Sequence, residues 1–185
     1  MKKLLLPFAF ILLNVNAFAQ NVEEPEFVVE AIYLKNDDSY VNLEKSLTQT
    51  RTVASTGLIM TGIGKVRQQI QIEGCCSKTL IKKNEDVRFI IRNIDNNTDP
   101  MAVIQVFKFE QKKKYRRAEL SAISSLGSSK SNNLEYVSFV GKKYGQSSYL
   151  IKLSVSEPGE YGIIVSNPNT LNETQTVVST FTIVD

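Results

Sequence analysis

The stretch from Tyr149 to Asn167 (YLIKLSVSEPGEYGIIVSN) confines the chain to β structure. In an extended segment Tyr149, Ile151, Leu153 and Val155 share one face and Leu150, Lys152 and Ser154 the other. One side is oily and the other mostly polar, the pattern of a half-buried strand. Pro158 and Gly159 then fill the centre of a turn, Pro at its fixed φ and Gly at the positive φ of a type II turn. The chain reverses and re-enters a strand at Tyr161.

The same grammar recurs along the chain. Phe27 to Leu34 and Tyr40 to Leu43 flank the turn formers Asn36 to Ser39, which predicts a first hairpin. Glu44 to Ser55 is polar without a sustained period and reads as a loop or weak edge strand. Gly57 to Gly64 (GLIMTGIG) reads as a Gly-bent strand or bulge. Gln68 to Glu73 alternates cleanly, Asn84-Glu85-Asp86 is a turn, and Val87 to Ile94 and Ala102 to Glu110 are strong strands either side of the turn Asp95 to Pro100. Tyr115 to Ile123 follows as a partner strand or a short helix, and Ser124 to Asn133 as a flexible loop. Leu134 to Val140 and Tyr149 to Val155 form a hairpin through Gly141 to Gly145, and Val177 to Val184 ends the series. Short strands, frequent turns and no amphipathic helix predict an all-β fold, an antiparallel β-sandwich formed by residues 27–185 as one domain.

The first residues (MKKLLLPFAFILLNVNAFAQ) join Lys2 and Lys3 to an apolar run and to small residues at Ala17 and Ala19. This is a secretory signal over residues 1–19, cut before Gln20, and residues 20–26 follow as a loose acidic leader. Removing the signal takes the formal net charge from +3 to +1, so no general cationic field remains and nucleic acid is disfavoured as a partner. No later stretch is long and oily enough to span a bilayer. The expected location is secreted or periplasmic, with cell-surface association compatible.

Cys75 and Cys76 are adjacent. A bridge between neighbours restrains almost no chain, so a scaffold disulfide is disfavoured, and two small residues at a strand end, a vicinal bond or an intermolecular one remain open. With no His in the chain, a zinc site has too few ligands, and neither metal nor cofactor is expected.

Glu157-Pro158-Gly159-Glu160-Tyr161-Gly162-Ile163, with Val165-Ser166-Asn167, resembles the end of an immunoglobulin-like domain. The resemblance covers residues 149–185 and implies that the Tyr161 hydroxyl bonds back to nearby backbone and pins a corner between sheets. Pro158, Gly159 and Tyr161 are the structural positions it singles out. Ile163 stands where antibody domains carry Cys, and there is no Trp. The wider chain resembles uncharacterised secreted bacterial β-sandwich proteins whose last hairpin carries a PGEY turn; that likeness implies no activity.

Chemistry is sparse. Gly57 to Val66 departs from a phosphate loop, because Ile63 follows Gly62 and no Ser or Thr follows Lys65. Lys112, Lys113, Lys114, Tyr115, Arg116 and Arg117 form the one concentrated charge feature, a candidate binding face for an acidic glycan, a lipid headgroup or a partner protein, or simply a solvated basic hairpin that resists aggregation. Asp95 and Asp99 with Asn96 and Asn97 lack the spacing of a calcium loop and are explained by turn chemistry. No nucleophile elbow or triad is present, and no catalytic residue is assigned. The expectation is a non-catalytic binding module acting through surface loops or a sheet edge. The alternatives are a structural subunit of a cell-surface or secretion assembly, which would lend strands to a neighbour, and a glycan-active enzyme using a carboxylate pair.

Overall fold

The computed structural model describes residues 22–83, 85–131, 133–154, 157–168 and 175–185. The expected signal, Gln20, Asn84 and Val155 lie outside these residues. In chain order the strands are β1 (Ala31–Leu34), β2 (Tyr40–Asn42), β3 (Glu44–Ala54), β4 (Lys65–Glu73), β5 (Leu80–Lys82), β6 (Arg88–Arg92), β7 (Ile104–Gln111), β8 (Tyr115–Ser124), β9 (Ser129–Ser131), β10 (Glu135–Tyr136), β11 (Phe139–Tyr144), β12 (Ser148–Leu153), β13 (Gly159–Val165) and β14 (Gln175–Val184). Among the described residues two short helices interrupt them, α1 (Thr56–Thr61) between β3 and β4 and α2 (Pro100–Val103) before β7. The chain is all-β, and apart from the parallel pair β5 and β14 its strands pair antiparallel.

One sheet has five strands in the order β11, β12, β6, β1, β2. The other runs β7, β13, β14, β3, β4, β8 and returns to β7 through the pairs Glu110 to Arg117 and Gln111 to Arg116, so it closes into a six-stranded ring. Closure removes the two open edges that such a sheet would otherwise offer.

Alternation in β7, β13 and β14 loads both faces of the ring wall. Outward, Ile104, Val106, Tyr161, Ile163, Phe181 and Ile183 meet Ala31, Tyr33, Phe89, Ile91, Tyr149 and Ile151 of the five-stranded sheet. The rings of Phe89 and Phe181 lie 4.9 Å apart across this layer, and truncating a side chain such as Phe181 to Ala costs about 3–5 kcal/mol. A second cluster gathers Ile70, Ile72, Phe107, Phe109, Ala118 and Val178 from strands of the ring alone. There a Cβ on Gly162 would come within 2.7 Å of the Phe109 ring and 2.9 Å of Phe107, so glycine makes room for that aromatic pair.

Several expectations change. Glu44 to Ser55 is no edge: β3 lies between β14 and β4. Gly57 to Gly64 holds a helix, because the Ser55 side chain caps its start and Gly62 at φ 73° ends it. Tyr115 to Ile123 is strand throughout. β11 runs through Gly141 to Tyr144, so the turn falls at Gly145 to Ser147. Gly159, at φ 154°, is already the first residue of β13 and lacks the smaller positive φ of a type II turn. The leader is docked over residues 22–25: Val22 is buried with Ile32, Leu34 and Ile90, and Arg92 donates to the Pro25 carbonyl at 2.7 Å.

Candidate functional site

The basic run lies at the hairpin between β7 and β8, and the structure separates its members. Lys113 and Lys114 are exposed at the turn. Lys112 and Arg117 both bind Glu110, at 2.5 and 2.6 Å, and hold its carboxyl below the ordinary carboxylate range. Tyr115 is half-buried at the start of β8, paired with Glu73. Arg116 is removed from any binding face, since it is wholly buried. Its Nη1 lies 3.0 Å from Glu160 and its Nη2 3.3 Å from Glu44. Strand alternation explains the split, because Arg116 has the parity of Ala118, Leu120 and Ala122, which β8 turns inward.

The Glu160 carboxylate also accepts the Ser77 N–H at 2.9 Å and the Thr182 hydroxyl at 2.6 Å. For Glu44, burial pushes the pKa up, but the Lys78 N–H and the Arg116 guanidinium outweigh it, leaving the carboxyl below its usual range. Ser77 follows Cys75 and Cys76, whose sulfurs are bonded to each other, and Gln111 donates to the Cys76 sulfur at 3.2 Å. The vicinal bond left open by the sequence is thus the one formed.

A polar groove of about 360 Å³ opens beside β10, lined among others by Lys108, Glu135, Tyr136, Glu157 and Tyr161. Lys108 binds Glu157 at 2.8 Å, and this bond raises the lysine pKa. The Tyr161 hydroxyl donates to the Glu157 carbonyl at 2.7 Å, while its ring stacks on Phe181 at 5.3 Å. Gly159 abuts the same lysine, its Cβ position 2.9 Å from Lys108 Cε, and Pro158 is exposed.

Asp95 and Asp99 cap local turns, accepting from the N–H groups of Asn97 and Met101 at 2.8 Å each. Among the described residues no group of three or more His, Cys, Asp or Glu is placed to hold a metal ion, and no helix is long and apolar enough to cross a membrane.

The feature that sequence reasoning missed is an arm. Among the described residues β14 pairs with β3 as far as Gln49 and β3 continues to Ala54 paired with β4, while β4 is bordered on its other side by β8, which β9 borders in turn. At the end of this arm α1 has no buried residue, and Ile59, Met60, Ile63 and Leu126 are 75%, 79%, 61% and 81% exposed. The tip is nonetheless well fastened. The Ser55 hydroxyl accepts from Lys65 N–H at 2.9 Å, the Gly62 N–H donates to Leu58 at 3.0 Å, and the Gly64 N–H donates to the Ser125 hydroxyl at 3.0 Å. Gly64 is obligatory here, because a Cβ would stand 2.2 Å from Ser55 Oγ and 2.6 Å from the Leu58 nitrogen. The available signal was an apolar stretch with no acid between Thr50 and Gln68.

No known protein family model matches the chain, and neither a curated protein nor a solved structure matches it.

Proposed function

We propose that the protein is an exported, non-catalytic binding module that works through the loops at the end of the β3–β4 arm. The observation that carries this is α1 itself, a helix with no buried residue whose apolar side chains are held out in water by capping and cross-loop hydrogen bonds. Exposed apolar groups gathered at one point mark an interaction site more often than scattered ones do. The basic hairpin fits the role less well, because Arg116 is buried and Lys112 and Arg117 share Glu110.

Within this proposal the finer architecture is a sandwich, immunoglobulin-like toward its C-terminus. Its support is the apolar layer between the five-stranded sheet and β7, β13 and β14, together with the Tyr161 to Glu157 bond four residues back. The likeness to secreted proteins with a PGEY turn and the signal-like start support export. A glycan-active enzyme finds less support, since Glu157 in the polar groove is engaged by Lys108.

Association of the purified protein with isolated cell-envelope fractions tests the proposal. The wild type should bind and the variant Ile59→Ser/Met60→Ser/Leu126→Ser should not. Equal binding by both would sink it.

A further inference from the structure

We infer that the arm tip docks on an anionic lipid surface, with Ile59, Met60, Ile63 and Leu126 entering the headgroup and acyl boundary and the arm's cations meeting the lipid charges. This rests on the arm being the working surface and goes on to name what it meets.

The first support is charge. From Thr50 to Gln68 the arm carries Arg51, Lys65 and Arg67 and no acid, and from Glu119 to Ser131 it carries Lys130 and one acid. That acid, Glu119, is bound by Arg67 at 3.1 Å. Arg51, Lys65 and Lys130 therefore flank the apolar tip along these two stretches, whose one acid is already engaged by Arg67. Binding at a membrane interface scales with buried apolar area plus electrostatic attraction to anionic lipid, and this arrangement supplies both.

Shape is the second support. The four apolar side chains sit at the turns joining β3 to β4 and β8 to β9, joined by Ser125 N–H donating to the Gly64 carbonyl at 2.9 Å. They lie away from the polar groove beside β10. A stable protein interface takes about 800 Å² from each side with matched relief. An arm end with four projecting side chains offers little of that area, whereas a bilayer needs no matching cavity.

Rigidity is the third. The Ser55 cap, the left-handed Gly62 and the close approach at Gly64 fix the loop before any contact, so little ordering remains to be done on docking.

The test is sedimentation of the purified protein with vesicles of phosphatidylglycerol and phosphatidylcholine in equal parts, beside vesicles of phosphatidylcholine alone. Binding to the mixed vesicles should exceed binding to the neutral ones by about tenfold and weaken with salt. Because the chain has no Trp, Leu126→Trp gives a single reporter whose emission should shift to the blue on mixed vesicles. Ile59→Ser/Met60→Ser/Leu126→Ser should lose binding while keeping the wild-type melting temperature, since the side chains it removes are exposed. Equal sedimentation of wild type and variant, or equal binding to both vesicle types, would overturn the inference. Tip-dependent capture by envelope fractions or by a second copy, without vesicle binding, would overturn lipid as the partner and leave the binding module intact. Envelope binding that ignores the tip would remove both.

Discussion

Arg116 and Glu160 meet inside the ring of strands, Nη1 to Oε2 at 3.0 Å, with 0% and 1% of their side chains exposed. Glu44 and the loop after the disulfide complete the cluster, so a charge on β8 is tied to β13 and to the start of β3. Breaking such a pair from one side leaves an uncompensated charge without water. Arg116→Met should therefore cost about 3–5 kcal/mol in urea unfolding, whereas adding Glu160→Met should recover much of the loss. A single substitution that left the urea midpoint unchanged would show that the buried pair does not hold the ring.

Tyr161 is fastened at both ends, by ring stacking on Phe181 and by its hydroxyl on the Glu157 carbonyl. Tyr161→Phe keeps the ring and removes the hydrogen bond, and should lower stability by about 1 kcal/mol. Thermal melts of the two proteins that superimpose would mean that the corner bond contributes nothing.

Glu24 ties the N-terminal segment to the β11–β12 turn, accepting from Gln146 and Ser147 N–H and from the Ser147 and Ser148 hydroxyls. Burial raises its pKa, but these bonds outweigh it and hold the carboxyl below 4.5. A depressed folded pKa means that the stabilisation is complete above pH 4.5 and fades as the pH falls through the lower folded value. Glu24→Gln should thus lose about 2 kcal/mol at neutral pH, and its stability should converge with that of the wild type in acid. A difference that does not shrink as the pH falls below 4.5 would assign the effect to packing.

The bond between Cys75 and Cys76 closes a loop of adjacent residues. Stabilisation through the unfolded state grows with loop length, so Cys75→Ser/Cys76→Ser should shift stability by less than about 1 kcal/mol. A larger loss would show that the bond positions Ser77 under the ionic cluster.

Strands rich in β-branched and aromatic residues were legible at once: Val87 to Ile94 contains β6, and Ala102 to Glu110 and Val177 to Val184 overlap most of β7 and β14. β3 was not, because Arg51 to Ala54 lie exposed in the arm, where pairing with β4 and not burial keeps the strand extended. α1 was misread from its apolar content, although Ser55 and Gly62 already bracketed it as cap and stop. Arg116 was hidden by its neighbours. A run of like charges looks like a solvated surface, and only the inward parity shared with Ala118, Leu120 and Ala122 marks one member as interior. Ring closure and the meeting of Glu44, Arg116 and Glu160 depend on contacts between distant segments, which no local pattern encodes.

β14 sits between β13 and β3, so the wall of the ring joins a strand from the first third of the chain to the last strand described. Until Gln175–Val184 have left the ribosome, β3 and β13 have no neighbour to bridge them, and the cylinder cannot be assembled from the N-terminal portion alone. A polypeptide built this way closes its cylinder only once residues 175–184 have been made, so the seam between β3 and β13 stays open while the strands before it are already available to pair among themselves.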